Sequence, residues 1–257
     1  MIYLNKDIAN YLLKKYPLKF QEEWDESGFR KNGADKTRTV VLTLDPNLEA
    51  VELARKNNAH LIISHHPIFI KNKEIEQSII DKKVIKQLKT YKIGLLSLHT
   101  CVDNSPLGIN PYILSTLGCK KIKVEKTECG KIFSGNLSSQ NTITNVLKKF
   151  KQLFNTTRVI SLKKNGSKVV KRIYLVCGAG FSVLKNKIEN FKPTDLILTG
   201  DLKWHDWTLI DQLNVNVVDI AHDVEKCFIG MLEPIIKVKF NKIKILKSKP
   251  SIIFNII

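Results

Sequence analysis

The sequence predicts an α/β fold built as two similar lobes. Two observations carry that prediction. Strand-sized apolar runs alternate with stretches of helical periodicity along most of the chain, the rhythm of parallel-sheet units. The same order of elements then returns in the second half, with no sequence-level repeat and no low-complexity linker between the halves. The lobes are placed at 1–127 and 128–257, and the last segment has the option of packing back onto the first lobe. A chain of 257 residues is long enough for two cores.

The first element is a helix. In "MIYLNKDIANYLLKKYP" the apolar residues Ile8, Leu12, Leu13 and Tyr16 recur at helical spacing, and the stretch lacks the apolar h-region and small-residue cleavage site of a signal peptide. "TVVLTLD" (39–45) reads as a strand, "NLEAVELARKNN" (47–58) as a helix and "AHLIIS" (59–64) as a strand. A helix at 76–92, a strand at 93–99 and a short helix at 110–118, ending at Gly118, complete the first series. In the second half, helices are expected at 141–154, 182–191 and 207–214, and strands at 169–178, 195–200 and 215–221. Segment 225–240 has helical periodicity, but Pro234 inside it predicts a kink or a shortened helix. The chain closes on strand-like "KIKIL" and "SIIFNII".

Composition narrows the function. No apolar run approaches the roughly 18 residues of a membrane span. Five dispersed cysteines without CxxC pairs suit reduced thiols and a cytoplasmic location. The formal charge of +18 favours anionic partners, yet only five of the 42 basic residues are arginine, the preferred residue for bidentate phosphate and base contacts. Small anionic substrates are therefore preferred over nucleic acid as partners.

Ionisable residues gather at strand ends. His65 and His66 follow "LIIS"; His99 follows "IGLLSL", with Asp103 four residues later. "DLILTG" leads to Asp201 and His205, and "VNVVDIA" to His222 and Glu225. Ligands of α/β sheets bind outside the carboxyl ends of strands. One histidine in such a place is ordinarily solvated or capped; the combination points to a metal. Imidazole and carboxylate donors without cysteine suit zinc, manganese, iron, cobalt or nickel. Side chains of adjacent residues diverge, so His65 and His66 suit one ion each where Pro67 ends the strand. Two ions roughly 3.5–4 Å apart form the clamp of many hydrolases.

Six blocks carry a resemblance in order: "EEWDESGF" (22–29), "IISHHPIF" (62–69), "HTCVDNSPLGIN" (99–110), "CGAGFS" (177–182), "TGDLKWHDW" (199–207) and "DIAHDVEK" (219–226). Through them nearly the whole chain resembles the GTP cyclohydrolase I type 2, or Nif-three-like, family, in a short form without a central insertion. The resemblance implies two α/β lobes with a dinuclear metal site in the cleft between them, and a homohexamer built as a trimer of dimers. It also implies His65, His66, Asp103, His222 and Glu225 as ligands of two divalent ions (zinc, iron or manganese), with Glu225 bridging. His99 lies next to them as the catalytic candidate; Asp201 and His205 are weaker candidates at the mouth.

The expected activity is metal-dependent hydrolysis, in which hydroxide made at the metals attacks an anionic, nucleotide-like substrate. GTP is suggested by the family label alone, since no residue selects guanine by its spacing. The alternative is a non-enzymatic metal-binding ring or adaptor for nucleic acid or a regulatory protein, motivated by the charge of +18.

Two departures from the family pattern stand at the closing motif. The glutamate usually comes four residues after the histidine, and here it comes three after, with Lys226 in the usual place and Asp223 as the alternative carboxylate. The glycine that usually precedes the histidine is Ala221. "CGAGFS" lacks a full GxGxxG pattern and reads first as a tight turn. Trp24 and Asp25 read as a structural anchor, and Trp204 and Trp207 as an oligomer interface.

Overall fold

The computed structural model describes residues 1–70, 77–156 and 158–249. They divide into two compact units, one formed by Met1–Leu107 with 226–249, the other by Gly108–Glu225.

The first unit opens with β1 (Tyr3–Leu4) and α1 (Asn5–Lys15), which buries Ile8, Ala9 and Leu12 along one face. After β2 (Gly28–Lys31) and β3 (Lys36–Thr37) comes β4 (Thr39–Thr43), then α2 (Leu48–Lys56), β5 (Leu61–Ser64), α3 (Ile79–Thr90), β6 (Gly94–Ser97) and the single turn α4 (Thr100–Asp103). Every residue of β4, β5 and β6 is buried. That is why they read as continuous apolar runs rather than alternating ones: a parallel strand is covered on both faces. Both helices start on side-chain caps. Asn47 accepts from the Ala50 N–H, and Ser78 forms a capping box with Asp81. Their apolar stripes, Val51 and Ala54 on α2 and Val84 and Leu88 on α3, join Val41 and Ile62 in one core.

The second unit begins with α5 (Ile109–Thr116), which ends before Gly118 at φ +91°. A hairpin of β7 (Lys120–Thr127) and β8 (Gly130–Thr142) follows, a feature with no forewarning in the apolar pattern because β7 is mostly exposed. Next come α6 (Ile143–Phe154), β9 (Ile160–Ser161), β10 (Val169–Leu175), α7 (Phe181–Lys185), β11 (Asp195–Thr199), α8 (Trp204–Gln212) and β12 (Val217–Asp219). The sheet order is β7-β8-β10-β11-β12-β9, with β10, β11 and β12 parallel and the flanking strands antiparallel.

The chain then returns to the first unit as α9 (Cys227–Lys239) and β13 (Lys244–Lys247). β13 pairs in parallel with β4 and completes the order β13-β4-β5-β6-β2. The "SIIFNII" strand expectation lies outside the described residues, as does residue 76 of the helix expected at 76–92.

Two local expectations are corrected. α9 is not shortened at Pro234, because a buried face of Phe228, Ile229, Met231, Leu232 and Ile236 holds it on both sides of the proline. The helix expected at 182–191 is instead α7, anchored by the buried Phe181 and Leu184, and a separate 3₁₀ turn at Ile188–Asn190, anchored by the buried Ile188.

Candidate metal centre

In the first unit, β5 and β6 end side by side, with Ser64 opposite Ser97 and their hydroxyls 2.9 Å apart. The loops beyond them therefore leave the sheet together, and three imidazoles meet there. The ring centroids of His65 and His66 are 5.0 Å apart, those of His65 and His99 5.3 Å, and those of His66 and His99 5.5 Å. One ligand-capable atom from each of the three falls within 4.8 Å of the others.

Each ring is oriented by an acceptor at Nδ1. Leu98 O lies 2.9 Å from that of His65, Asp45 Oδ1 2.7 Å from that of His66, and Asp25 Oδ1 2.8 Å from that of His99. A proton held at Nδ1 leaves Nε2 as the lone-pair nitrogen, the arrangement that outer-shell partners give to metal-binding histidines. Asp103, at the end of α4, brings Oδ1 to 3.5 Å from the fully buried His65 Nε2.

The "EEWDESGF" stretch braces this cluster. Asp25 is buried and accepts from the Ser27 hydroxyl, the Thr100 hydroxyl and the Thr100 N–H as well as facing His99. Burial alone would raise its pKa, but the hydrogen bond and charge of His99, with the Thr100 and Ser27 hydroxyls, outweigh that and hold the carboxyl well below its usual range. Glu22 accepts from Asn104 Nδ2 at 2.6 Å and gives its own N–H to the Thr100 hydroxyl. Glu26, ion-paired with Arg30, accepts the Ile70 N–H at 3.1 Å. One acidic segment thus ties down the loops after both strands. The Trp24 ring stands edge-on to His99, 5.6 Å away, and half exposed.

The second unit carries its own pair. Glu225 is buried, and its Oε2 lies 3.1 Å from His222 Nε2; Asp201 Oδ2 lies 2.6 Å from His222 Nδ1. The three-residue spacing works because His222–Lys226 is a 3₁₀ turn, in which positions i and i+3 eclipse one another. An α-turn would have rotated the shortened carboxylate by about 100°. Glu225, rather than Asp223, is the carboxylate that reaches His222. Ala221 enters the turn at φ +60°, a left-handed conformation that favours glycine. The Glu225 hydrogen bond raises the His222 pKa to about 10; burial opposes this, while the Glu225 charge and Asp201 add to it. The pair of carboxylates favours positive charge at this spot, as a cation site must.

"CGAGFS" is both a tight turn and a clearance. Gly178 has φ +62°, and its carbonyl accepts the N–H groups of Gly180 and Gly200. A Cβ there would sit 2.7 Å from Glu225 Oε1 and 3.5 Å from His222 Nε2.

The structure thus brings together His65, His66, His99 and Asp103 in one unit, and His222, Glu225 and Asp201 in the other. It leaves out His205, which is 69% exposed on α8 beside Asp206. Trp207 is partly buried against its own unit's core, while Trp204 is exposed. Asp45 was missed, although it ends β4's apolar run and the strand-end rule applied to β5 would have found it. The donor set, imidazoles with carboxylates, fits divalent ions of the zinc, iron or manganese type.

A family model described as Duf34/NIF3 (NGG1p interacting factor 3) matches residues 4–251. The chain belongs to the Duf34/NIF3 family. Among Duf34/NIF3 relatives, a "GTP cyclohydrolase 1 type 2 homolog" of Ureaplasma parvum is 29% identical, over 88% of this chain and 87% of its own. A protein of the same description from Mycoplasmopsis pulmonis is 27% identical, over 90% of this chain and 92% of its own. A hypothetical protein of Staphylococcus aureus shares the fold at TM-score 0.84 and 22% identity, covering 99% of both chains. No helix among the described residues is long and apolar enough to cross a membrane.

Proposed function

We propose that this Duf34/NIF3 protein is a dinuclear metal-dependent hydrolase acting on an anionic, nucleotide-like substrate. His65, His66, Asp103, His222 and Glu225 are the residues that would hold the two divalent ions. The observation that carries the reading is the trio of imidazoles whose Nδ1 atoms are each committed to an acceptor, leaving Nε2 of His65 and His66 for a ligand bond and Nε2 of His99 for proton transfer. Ions in such a donor set supply Lewis-acid polarisation and make water acidic enough to ionise near neutral pH.

The chain's residues do the positioning. Asp45 and Asp25 fix the His66 and His99 rings, and Asp201 fixes His222. His99, paired through Nδ1 with Asp25, whose carboxyl is held well below its usual range, takes or returns a proton at Nε2, the general acid–base role. The high positive charge of the chain draws an anionic substrate.

Metal analysis of the purified chain, with and without Asp103→Ala, tests the reading. About two ions per wild-type chain under metal-replete conditions, and fewer in the variant, are expected. Fewer than one ion per wild-type chain sinks the dinuclear reading. Turnover of GTP or another nucleotide that is lost in His65→Ala and His66→Ala supports hydrolysis; turnover that survives them refutes it.

A further inference from the structure

The second unit holds a polar groove away from the residues above. β8 leaves its ladder with β10 between Asn136, which pairs with Arg172, and Asn141, which pairs with Val170. Four residues, 137–140, therefore stand against the single residue Lys171. The excursion opens a groove of about 540 Å³, which Lys171, Arg172, Tyr174 and Lys192 line together with residues 136–140. That size suits a small ligand.

Arg172 is held in place there. Its Nε donates to Asn136 Oδ1 at 2.9 Å and its Nη1 to the Tyr174 hydroxyl at 3.3 Å. The guanidinium carbon stands 5.8 Å from the Tyr174 ring centroid, and Phe191 braces that ring edge-on at 4.7 Å. Both hydrogen-bond partners are neutral; Asp195, the cross-strand neighbour on β11, makes no ion pair with Arg172, although its charge acts on the guanidinium. A guanidinium has five N–H donors, so three remain for a ligand. This is one of only five arginines in a chain whose cations are otherwise lysine. Lys171 and Lys192 are exposed beside it. The one carboxylate lining the groove, Asp195, is buried and accepts the Lys192 N–H at 2.9 Å.

We propose that this groove binds the phosphate of a nucleotide, with the Arg172 fork as anchor and Lys171 and Lys192 as flanking charges. A guanidinium held in place with free Nη donors can give a phosphate more than one charge-assisted hydrogen bond from a fixed plane, which a lysine cannot do. Because Asn136 and Tyr174 already hold the fork, little side-chain freedom is lost on binding. A free nucleotide and a single-stranded nucleic acid present the same group, and the experiment separates them.

ATP and a fluorescein-labelled 12-mer of deoxythymidylate are titrated into the metal-loaded full chain, and into the His65→Ala/His66→Ala chain, where groove binding persists. Arg172→Gln is expected to weaken the bound probe roughly 10- to 150-fold, the loss of charge-assisted hydrogen bonds. Arg172→Lys falls between, because it keeps the charge and loses the fork. Tyr174→Phe, which removes only a neutral acceptor, weakens binding about two- to tenfold and serves if Arg172→Gln does not fold. Lys148→Gln, an exposed lysine outside the groove, stays within twofold of wild type. Whichever probe binds more tightly names the source of the phosphate. The proposal is overturned if Arg172→Gln and Tyr174→Phe both stay within twofold of wild type. It is equally overturned if Lys148→Gln costs as much as Arg172→Gln, or if neither probe binds more tightly than about 1 mM, the weak end of specific affinities.

Discussion

Gly178→Ala isolates the link between the glycine turn and the proposed metal ligands His222 and Glu225. Two costs act at this position. The backbone sits at φ +62°, where an L-residue with a Cβ pays about 1–2 kcal/mol. Alanine returns about 0.4–1 kcal/mol by restricting the unfolded chain. The net backbone term is about 0.5–1 kcal/mol of destabilisation, a fall in melting temperature of roughly 1–4 °C for a chain of this size. The second cost is local. The new methyl would lie 2.7 Å from Glu225 Oε1, a buried carboxylate, so Glu225 must turn away and its alignment with His222 is lost. A displaced ligand of this kind costs about 10- to 100-fold in metal affinity. Gly230→Ala is the control, since its Cβ would meet nothing within 4 Å and it lies inside α9; there alanine should stabilise by about 0.5–1 kcal/mol. The assays are thermal melts of the metal-free proteins and competition of the loaded ones with a chromophoric chelator. Unchanged metal affinity in a folded Gly178→Ala protein would refute the reasoning, because the clash would then have been relieved without moving Glu225.

Three further outcomes follow from the same geometry. Ala221→Gly relieves the left-handed strain at φ +60° and partly loses that gain to the freer unfolded chain; it should raise the melting temperature by up to about 3 °C, leaving metal stoichiometry unchanged. Asp25→Asn removes the charge that His99 faces and one acceptor of the Thr100 and Ser27 donors; denaturant titration should show a loss of about 1–3 kcal/mol, and an unchanged midpoint would mean those donors find other partners. In the metal-free protein, His222 has its pKa raised to about 10 from the ordinary 6.5. Its contribution to stability is therefore fully present below pH 6.5 and lost as pH rises through about 10. Urea midpoints that fall across this window in wild type but not in His222→Gln would bear this out, and parallel profiles would refute it.

How much of this was legible differs between strands and site. β4, β5, β6 and β11 were readable because parallel strands buried on both faces leave unbroken apolar runs in the sequence. The β7–β8 hairpin was not, since β7 is nearly all exposed and has no apolar pattern to show. The site histidines were legible as strand-end residues. Which acceptor each would meet was not: Asp25 lies 74 positions from His99, and Asp45 lies 21 from His66.

By itself, then, the sequence determined the α/β class, the strand ends that carry the candidate site residues and the family blocks, because periodicity and motif are local properties of the chain. Only the tertiary structure decided which acceptor holds each imidazole and which glycine makes room for Glu225. It alone decided, too, that a three-residue spacing suffices. That last point turned on a 3₁₀ turn entered through Ala221 in a left-handed conformation. A spacing in sequence specifies a direction in space only once the helix type is known, and the surrounding packing selects that type.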